Sequence, residues 1–551
     1  MLDSKNFILK NGTVVDVRSE TTKKADVWIC DGKIQGIGEF SGDNEVDCEG
    51  KFICPGFIDA HVHIESSMVT PNTFAKAIMP WGTTTIIADP HELVNVKGNI
   101  AMKYLMDATE HIPLDVYVML PSSIPATPFE TNGADFTVED MKQWIDYERV
   151  LGLGEVMCYP NVLARDSVIM DKIKLCKDMI IDGHAPGLSG DDLKSYIEAG
   201  VMTDHECTTY EEAKEKCQAG MKILVREGSA ARNVAPIISG LVKEPEHAID
   251  YMFCTDDKHL DTIEEEGHIC YNIKKSIALG LDAIKAIAMA TCHVADFYGI
   301  KQTGYVEEGY VADLVVLDSL QDVTISCVYK DGVAVSETMF EDAPVSVDSR
   351  LLESVVLGKI SKEQIQCKVR GKTPVIGMVP HEIITEYLLE EVSEQDGYFI
   401  PDAQYSKLCV FERHRGTGHV SAAPLKGYGI KGGAIATSVA HDSHNVIAVG
   451  DNDEDILKAV QTIREIQGGY VLVSHGEIKG TLPLQIAGLM STWPQKKVQS
   501  TIDYILTEAW KLGVSKESDP FITLSFMALP VIPELRLTDM GLVDVVNFTQ
   551  L

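Results

Sequence analysis

The 551-residue sequence has no apolar run approaching the roughly 20 residues that a membrane-crossing helix needs. No such span is therefore expected. Its opening, MLDSKNFILK, carries an early Asp and lacks the apolar core of a secretory signal. Basic residues are few: 48 Lys plus Arg stand against 82 Asp plus Glu, a formal charge of −34. Such a surface repels phosphate backbones and anionic headgroups, so neither nucleic acid nor a membrane is an expected partner. The 13 cysteines include no Cys-x-x-Cys pair and show no regular spacing, and their odd number leaves at least one unpaired. They read as mostly buried thiols of a reducing cytoplasm. No G-x-x-x-x-G-K-[ST] string supports a phosphate loop, and no G-x-S-x-G elbow supports a serine hydrolase, despite the letters His441-Asp442-Ser443-His444. Internal repeats and low-complexity linkers are also absent. What remains, 45% hydrophobic and 24% charged residues, is an ordinary globular mix, long enough for three or four domains or one large domain with additions.

Residues 7–17 read as strand, turn at Asn11-Gly12 and strand, and residues 25–38 repeat this around Asp31-Gly32. From residue 55, short apolar runs ending in polar residues alternate with helical segments. The runs are 57–63, 83–92, 115–123, 150–157, 179–186, 201–206, 221–229 and 251–257. Repeated strand–helix units predict a parallel sheet, and eight of them predict a closed (β/α)₈ barrel of the TIM type. Residues 309–318 and 323–337 return to strand-and-turn texture. The simplest topology joins both flanks, 1–54 and 299–345, into one small β-sandwich beside a barrel of residues 55–298. A C-terminal α/β domain then spans 346–551, with strands at GAIATSV and NVIAVG and helices at DEDILKAVQTIREI and TIDYILTEAWKLG.

Barrel chemistry sits at the C-terminal ends of the strands, and here those ends carry His61 and His63, His91 and Glu92, Glu155, His184, His205 and Asp256. His61 and His63 share one side of a strand, since residues i and i+2 do, so both imidazoles can address one ion. Nitrogen and oxygen donors converging from several strands suit one or two divalent cations such as Zn, Mn or Fe. Arg226, Glu227 and Ser229 end the seventh run, where they suit either the edge of a substrate or a structural salt bridge. The 441–444 run suits a cap over the site, a second ion site or a plain polar loop.

The string CPGFIDAHVHIESS, followed by GTTTIIADPHE, resembles the amidohydrolase superfamily. HVHIESSMVTP, ADPHELVNV, GLGEVM, DGHAPGLSG, TDHE, FCTDDKH and GYGIKGGAIATSVAHDSHNVIAVG resemble, more narrowly, its adenine deaminase family, over nearly the whole chain. The resemblance implies a binuclear centre held by His61, His63, His184, His205 and Asp256, with Glu155 bridging where hydantoinase relatives use a carboxylated lysine. Asp256 is favoured over its neighbour Asp257 by the same pattern. It implies manganese or iron, although the donor types alone permit zinc equally. The implied reaction is hydrolytic deamination of adenine by an activated water, in cytoplasmic purine salvage, in a homo-oligomer such as a dimer. Asp256 then carries the water's proton to the leaving amine, Glu92 protonates N1, and His91, Glu227 and Ser229 contact the substrate. Hydrolysis of a cyclic amide or N-acyl substrate is the alternative.

Overall fold

The computed structural model describes residues 6–340, 346–379, 383–516 and 519–551. The expected boundary at residue 345 and the first five residues lie outside that range. Eight parallel strands organise the middle of the chain: Phe57–Val62, Thr83–Ala88, Asp115–Leu120, Val150–Val156, Ile180–Gly183, Thr203–Asp204, Lys222–Arg226 and Tyr251–Cys254. The first five pair in sequence order as one curled sheet and the last three as another. The two sheets meet at both seams. The Asp256 amide donates to His61 O (3.0 Å) and the His63 amide to Asp256 O (3.3 Å), while the Met202 amide donates to Ile181 O (2.9 Å). The strands are buried almost throughout, which is why they read as continuous apolar runs rather than alternating ones.

Strands from both flanks share a sheet in the order Val333–Ala334, Thr324–Lys330, Leu314–Ser319, Phe52–Pro55, Thr13–Asp16, Thr21–Lys24. A second sheet (Lys33–Gly38, Asp26–Cys30, Asn6–Lys10, Glu45–Asp47) lies against it. Phe7, Leu9, Val27 and Ile29 of one meet Val14, Ile53, Leu314 and Val316 of the other in one apolar core. Asp31 and Gly32 both take positive φ (47° and 78°) and close a two-residue hairpin. Asn11-Gly12 does not. Only Asn11 has positive φ (61°), and the chain passes there from one sheet to the other instead of folding back.

Toward the C-terminus an eight-stranded mixed sheet runs in the order Thr385–Glu391, Lys372–Met378, Val420–Lys426, Tyr405–Phe411, Val446–Gly450, Gly433–Thr437, Gly469–Ser474, Glu477–Pro483. Its side chains alternate in destination. Ala434, Ala436, Val446 and Ala448 pack with Ile456 and Ile463 of the helix Asp453–Ile466. Ile435, Ile447, Val449 and Leu472 join a core that reaches Ile86 and Val116 of the parallel strands and Ile502 of the helix Gln495–Lys511. The sheet is thus seated on the central barrel-like unit, and the loop after its strand Gly433–Thr437 is brought to the C-terminal ends of the parallel strands. Among the described residues no helix is long and apolar enough to cross a membrane.

Candidate metal centre

The structure brings His61, His63, Glu155, His184, His205 and Asp256 together at those strand ends, all buried. His61 and His63 aim Nε2 atoms at each other, 3.2 Å apart. Asp256 Oδ1 lies 3.0 Å from His63 Nε2 and 3.6 Å from His61 Nε2, and Glu155 Oε1 lies 3.3 Å and 3.6 Å from the same two atoms. The other oxygen, Glu155 Oε2, lies 2.7 Å from His184 Nδ1 and 3.2 Å from His205 Nε2. One carboxylate thus faces two donor sets with one oxygen each. Asp256, at φ 58°, has a left-handed backbone that Asp tolerates, and the paired bonds to the first strand hold it there.

Hydrogen bonding alone does not account for this arrangement. His63 Nδ1 donates to Asp89 O (2.8 Å), which leaves a lone pair on Nε2 of the neutral ring. That lone pair faces another imidazole nitrogen and two carboxylate oxygens. Among the described residues, His61 Nδ1, His205 Nδ1 and His184 Nε2 are buried without a hydrogen-bond partner. Donors about 2.0–2.2 Å from one cation lie roughly 3–3.6 Å from each other, the spacing seen in the His61, His63, Glu155, Asp256 set. Overlapping trios such as His61–His63–Asp256 and His61–Glu155–His205 keep all their donor atoms within 4.8 Å. The residues present fit divalent cations.

The electrostatics agree. Burial pushes the Glu155 carboxyl up, but His205, His184 and His61 outweigh it and hold Glu155 well below the usual carboxylate range. Asp256 is likewise raised by burial and then driven well below its ordinary value, first by Arg226. The guanidinium of Arg226 bridges Asp256 Oδ2 (2.7 Å) and both oxygens of Glu206 (2.5 and 2.7 Å). Replacing Arg226 by Met removes that charge, so Asp256 retains its proton to higher pH. The acidic limb of the kcat/KM profile is expected to move upward by about 1 unit or more, as a pH series will show.

Asp89 supports the centre from beneath. Its Oδ2 accepts the Glu155 amide (2.9 Å), its Oδ1 accepts the His91 amide (3.2 Å), and its carbonyl accepts from His63. Gly154 leaves room for it, because a Cβ there would run into the Asp89 carboxylate. Gly154→Ala is expected to cost about 1–3 kcal/mol of stability by overpacking, read as a lower denaturation midpoint, and to weaken metal retention as Glu155 shifts.

Among the other expected residues, His91 and Glu92 open the helix His91–Ala108 and line the cavity over the centre. His91 Nδ1 is 3.5 Å from Glu155 Oε1. Glu92 is gripped by two histidines of the C-terminal segment: His441 Nδ1 lies 2.6 Å from Oε1, and His444 Nε2 contacts Oε2. Burial raises the Glu92 carboxyl, yet His441 and His444 hold it well below its usual range. The structure thus places Glu92 over the centre, paired to both histidines. Glu227 and Ser229 are engaged elsewhere. Glu227 accepts from Lys275 Nζ (2.5 Å) and from the Val234 amide (3.1 Å), and Ser229 Oγ pairs with Thr262 Oγ1 (2.8 Å) and accepts from the His259 amide (2.9 Å). Neither lines the cavity. Asp257 does line it, but its carboxylate accepts from Ser66 Oγ (2.5 Å). Sequence reasoning missed Asp89, Glu206 and the apolar wall of Ile383, Phe526, Leu529 and Ile532. The first two stand beside recognised histidines, in ADPHE and TDHE, which was the available signal.

Comparison with known proteins fits this geometry. The amidohydrolase family profile matches residues 52–335 and that of the adenine deaminase C-terminal domain matches residues 382–549. The adenine deaminase of Desulfitobacterium hafniense is 46% identical, over 98% of this chain and 95% of the relative. That of Halalkalibacterium halodurans is 43% identical, over 99% and 95%. The β-aspartyl dipeptidase of Fervidobacterium islandicum, 17% identical, superposes with a TM-score of 0.47 over 62% of this chain and all of that one. With both profiles and near-complete alignment to such relatives, the chain belongs to the adenine deaminase family of amidohydrolases.

Proposed function

We propose that this protein hydrolyses adenine to hypoxanthine and ammonia. The observation that carries this reading is the buried set of six donors split by the two oxygens of Glu155, in a chain whose relatives are adenine deaminases over nearly their whole length. His61, His63, Glu155 and Asp256 would hold one cation and His184, His205 and Glu155 a second, with manganese the first choice, iron the second and zinc the third. When bound, such cations lower the pKa of an adjoining water toward neutrality.

The chain's own residues supply the rest. Asp256, kept ionised by Arg226, is placed to take the proton of the attacking water and return it to the amine leaving C6. Glu206 neutralises Arg226, so the guanidinium orients Asp256 without leaving an unpaired buried charge. Ile383, Phe526, Leu529 and Ile532 give the cavity an apolar wall suited to a flat ring. The eight parallel strands are read as one closed (β/α)₈ barrel of residues 55–298, flanked by a composite β-domain (1–54 with 299–345) and a C-terminal α/β domain (346–551). Purine salvage in a reducing cytoplasm, by a homo-oligomer, completes the reading; all 13 cysteines are unpaired.

The test is product analysis on metal-reconstituted protein. Equimolar ammonia and hypoxanthine from adenine are expected. No turnover of adenine, with a ring-opened acid formed from a cyclic amide, would move the assignment to another branch of the amidohydrolases.

A further inference from the structure

The loop between the strands Gly433–Thr437 and Val446–Gly450 carries two histidines with different bonding. His444 has both ring nitrogens closed off by the protein: Nδ1 accepts from the Ala440 amide (3.2 Å) and Nε2 abuts Glu92. His441 uses one. Its Nδ1 donates to Glu92 Oε1 (2.6 Å), and among the described residues no hydrogen bond engages Nε2. The ring lies flat on Phe526, with centroids 4.6 Å apart and planes 13° from parallel. Its backbone amide donates to Ser525 O (3.1 Å). The loop is fixed elsewhere by His414 Nε2, which donates to Ser443 O (2.6 Å), and by Arg413, which donates to His444 O. The His441 ring is thus held by two neighbours and its backbone by a third, with one polar atom unspent, and it lines the same cavity as His63, Glu155 and Asp256.

We propose that His441 is a substrate-binding residue whose Nε2 hydrogen-bonds a ring nitrogen of the bound purine, presenting C6 to the metal-ligand cluster. This deepens the adenine reading and rests on it. Burial opposes charge on the His441 imidazole, but the Glu92 carboxylate prevails and raises it to about 9. At neutral pH Nε2 therefore carries a hydrogen and acts as donor. As water adds to C6, electron density moves onto the ring nitrogens, and a charged donor aimed at one of them binds the transition state more strongly than the substrate. Phe526 keeps the imidazole from turning and the Glu92 carboxylate holds it by Nδ1, so the donor is oriented before adenine arrives.

The experiment compares wild type with His441→Gln and His441→Asn, each reconstituted with manganese and checked for metal content and thermal midpoint. Loss of kcat/KM on adenine by about 10²-fold, with metal content unchanged, is expected. Inhibition constants for 1-deaza-, 3-deaza- and 7-deazaadenine then locate the contact. One of the three should bind wild type and variants alike, while the other two bind the variants at least tenfold more weakly. Glu92→Gln, which keeps His441 but removes its anchoring charge, should give a smaller loss with the same ring-position signature. The inference is overturned if both His441 variants stay within threefold of wild type, or if all three analogues lose affinity equally. A wild type that does not turn over adenine would instead remove the adenine reading itself.

Discussion

Replacing Glu155 by Gln is expected to abolish turnover: at least about 10³-fold in kcat/KM, or roughly 4 kcal/mol of transition-state stabilisation. Glu155 presents one oxygen to each donor set, Oε1 toward His63 at 3.3 Å and Oε2 toward His184 at 2.7 Å. An amide presents one oxygen and one NH₂ donor in their place. It also removes the one negative charge shared by His61, His63, His184 and His205. Both activity and retained metal should fall, and metal analysis beside steady-state kinetics will show the two losses together. Loss of activity with full metal content would place Glu155 in the chemistry rather than in the shared ligand role.

Asp256→Asn is expected to behave differently. Asparagine keeps an oxygen for the Oδ1 position facing His63, so metal content should survive better than in the Glu155 variant. It cannot accept and return a proton. The expected loss is about 10²–10⁴-fold in kcat with a smaller change in KM. The Arg226 contact at 2.7 Å sharpens this case. The amide cannot pair with the guanidinium as the carboxylate does, so Arg226 is left paired with Glu206 alone. If kcat is retained while metal is lost, Asp256 is a ligand only, and the proton carrier must be sought among the other cavity groups, His91 first.

Much of this site was legible in the sequence because each donor ends an apolar run that can only be a buried strand. His61 and His63 sit two apart on one such run, and Glu155, His184, His205 and Asp256 end four others, so the barrel rule gathers them without knowledge of side-chain geometry. Adjacent residues at a strand end were harder. Arg226, Glu227 and Ser229 could not all face the cavity, because successive side chains point to opposite sides. Arg226 turned inward to Asp256, and Glu227 turned outward to Lys275 and the first amide of the helix Val234–Leu241. The Glu92–His441 pair was illegible for another reason. Its members are 349 positions apart, and only the docking of the C-terminal sheet against the parallel strands brings them together. Asn11-Gly12 has the letters of a tight hairpin, but core formation between two sheets overrode that local preference, since Leu9 and Val14 pack into the same core from different sheets.

The most direct test is to titrate metal-free protein with manganese while following conversion of adenine to hypoxanthine. Activity should be negligible without metal, rise with added ion and level off near two equivalents per chain, in proportion to the two donor sets that meet at Glu155. Full activity without metal, or a plateau at one equivalent with no further ion bound, would contradict a shared two-cation centre.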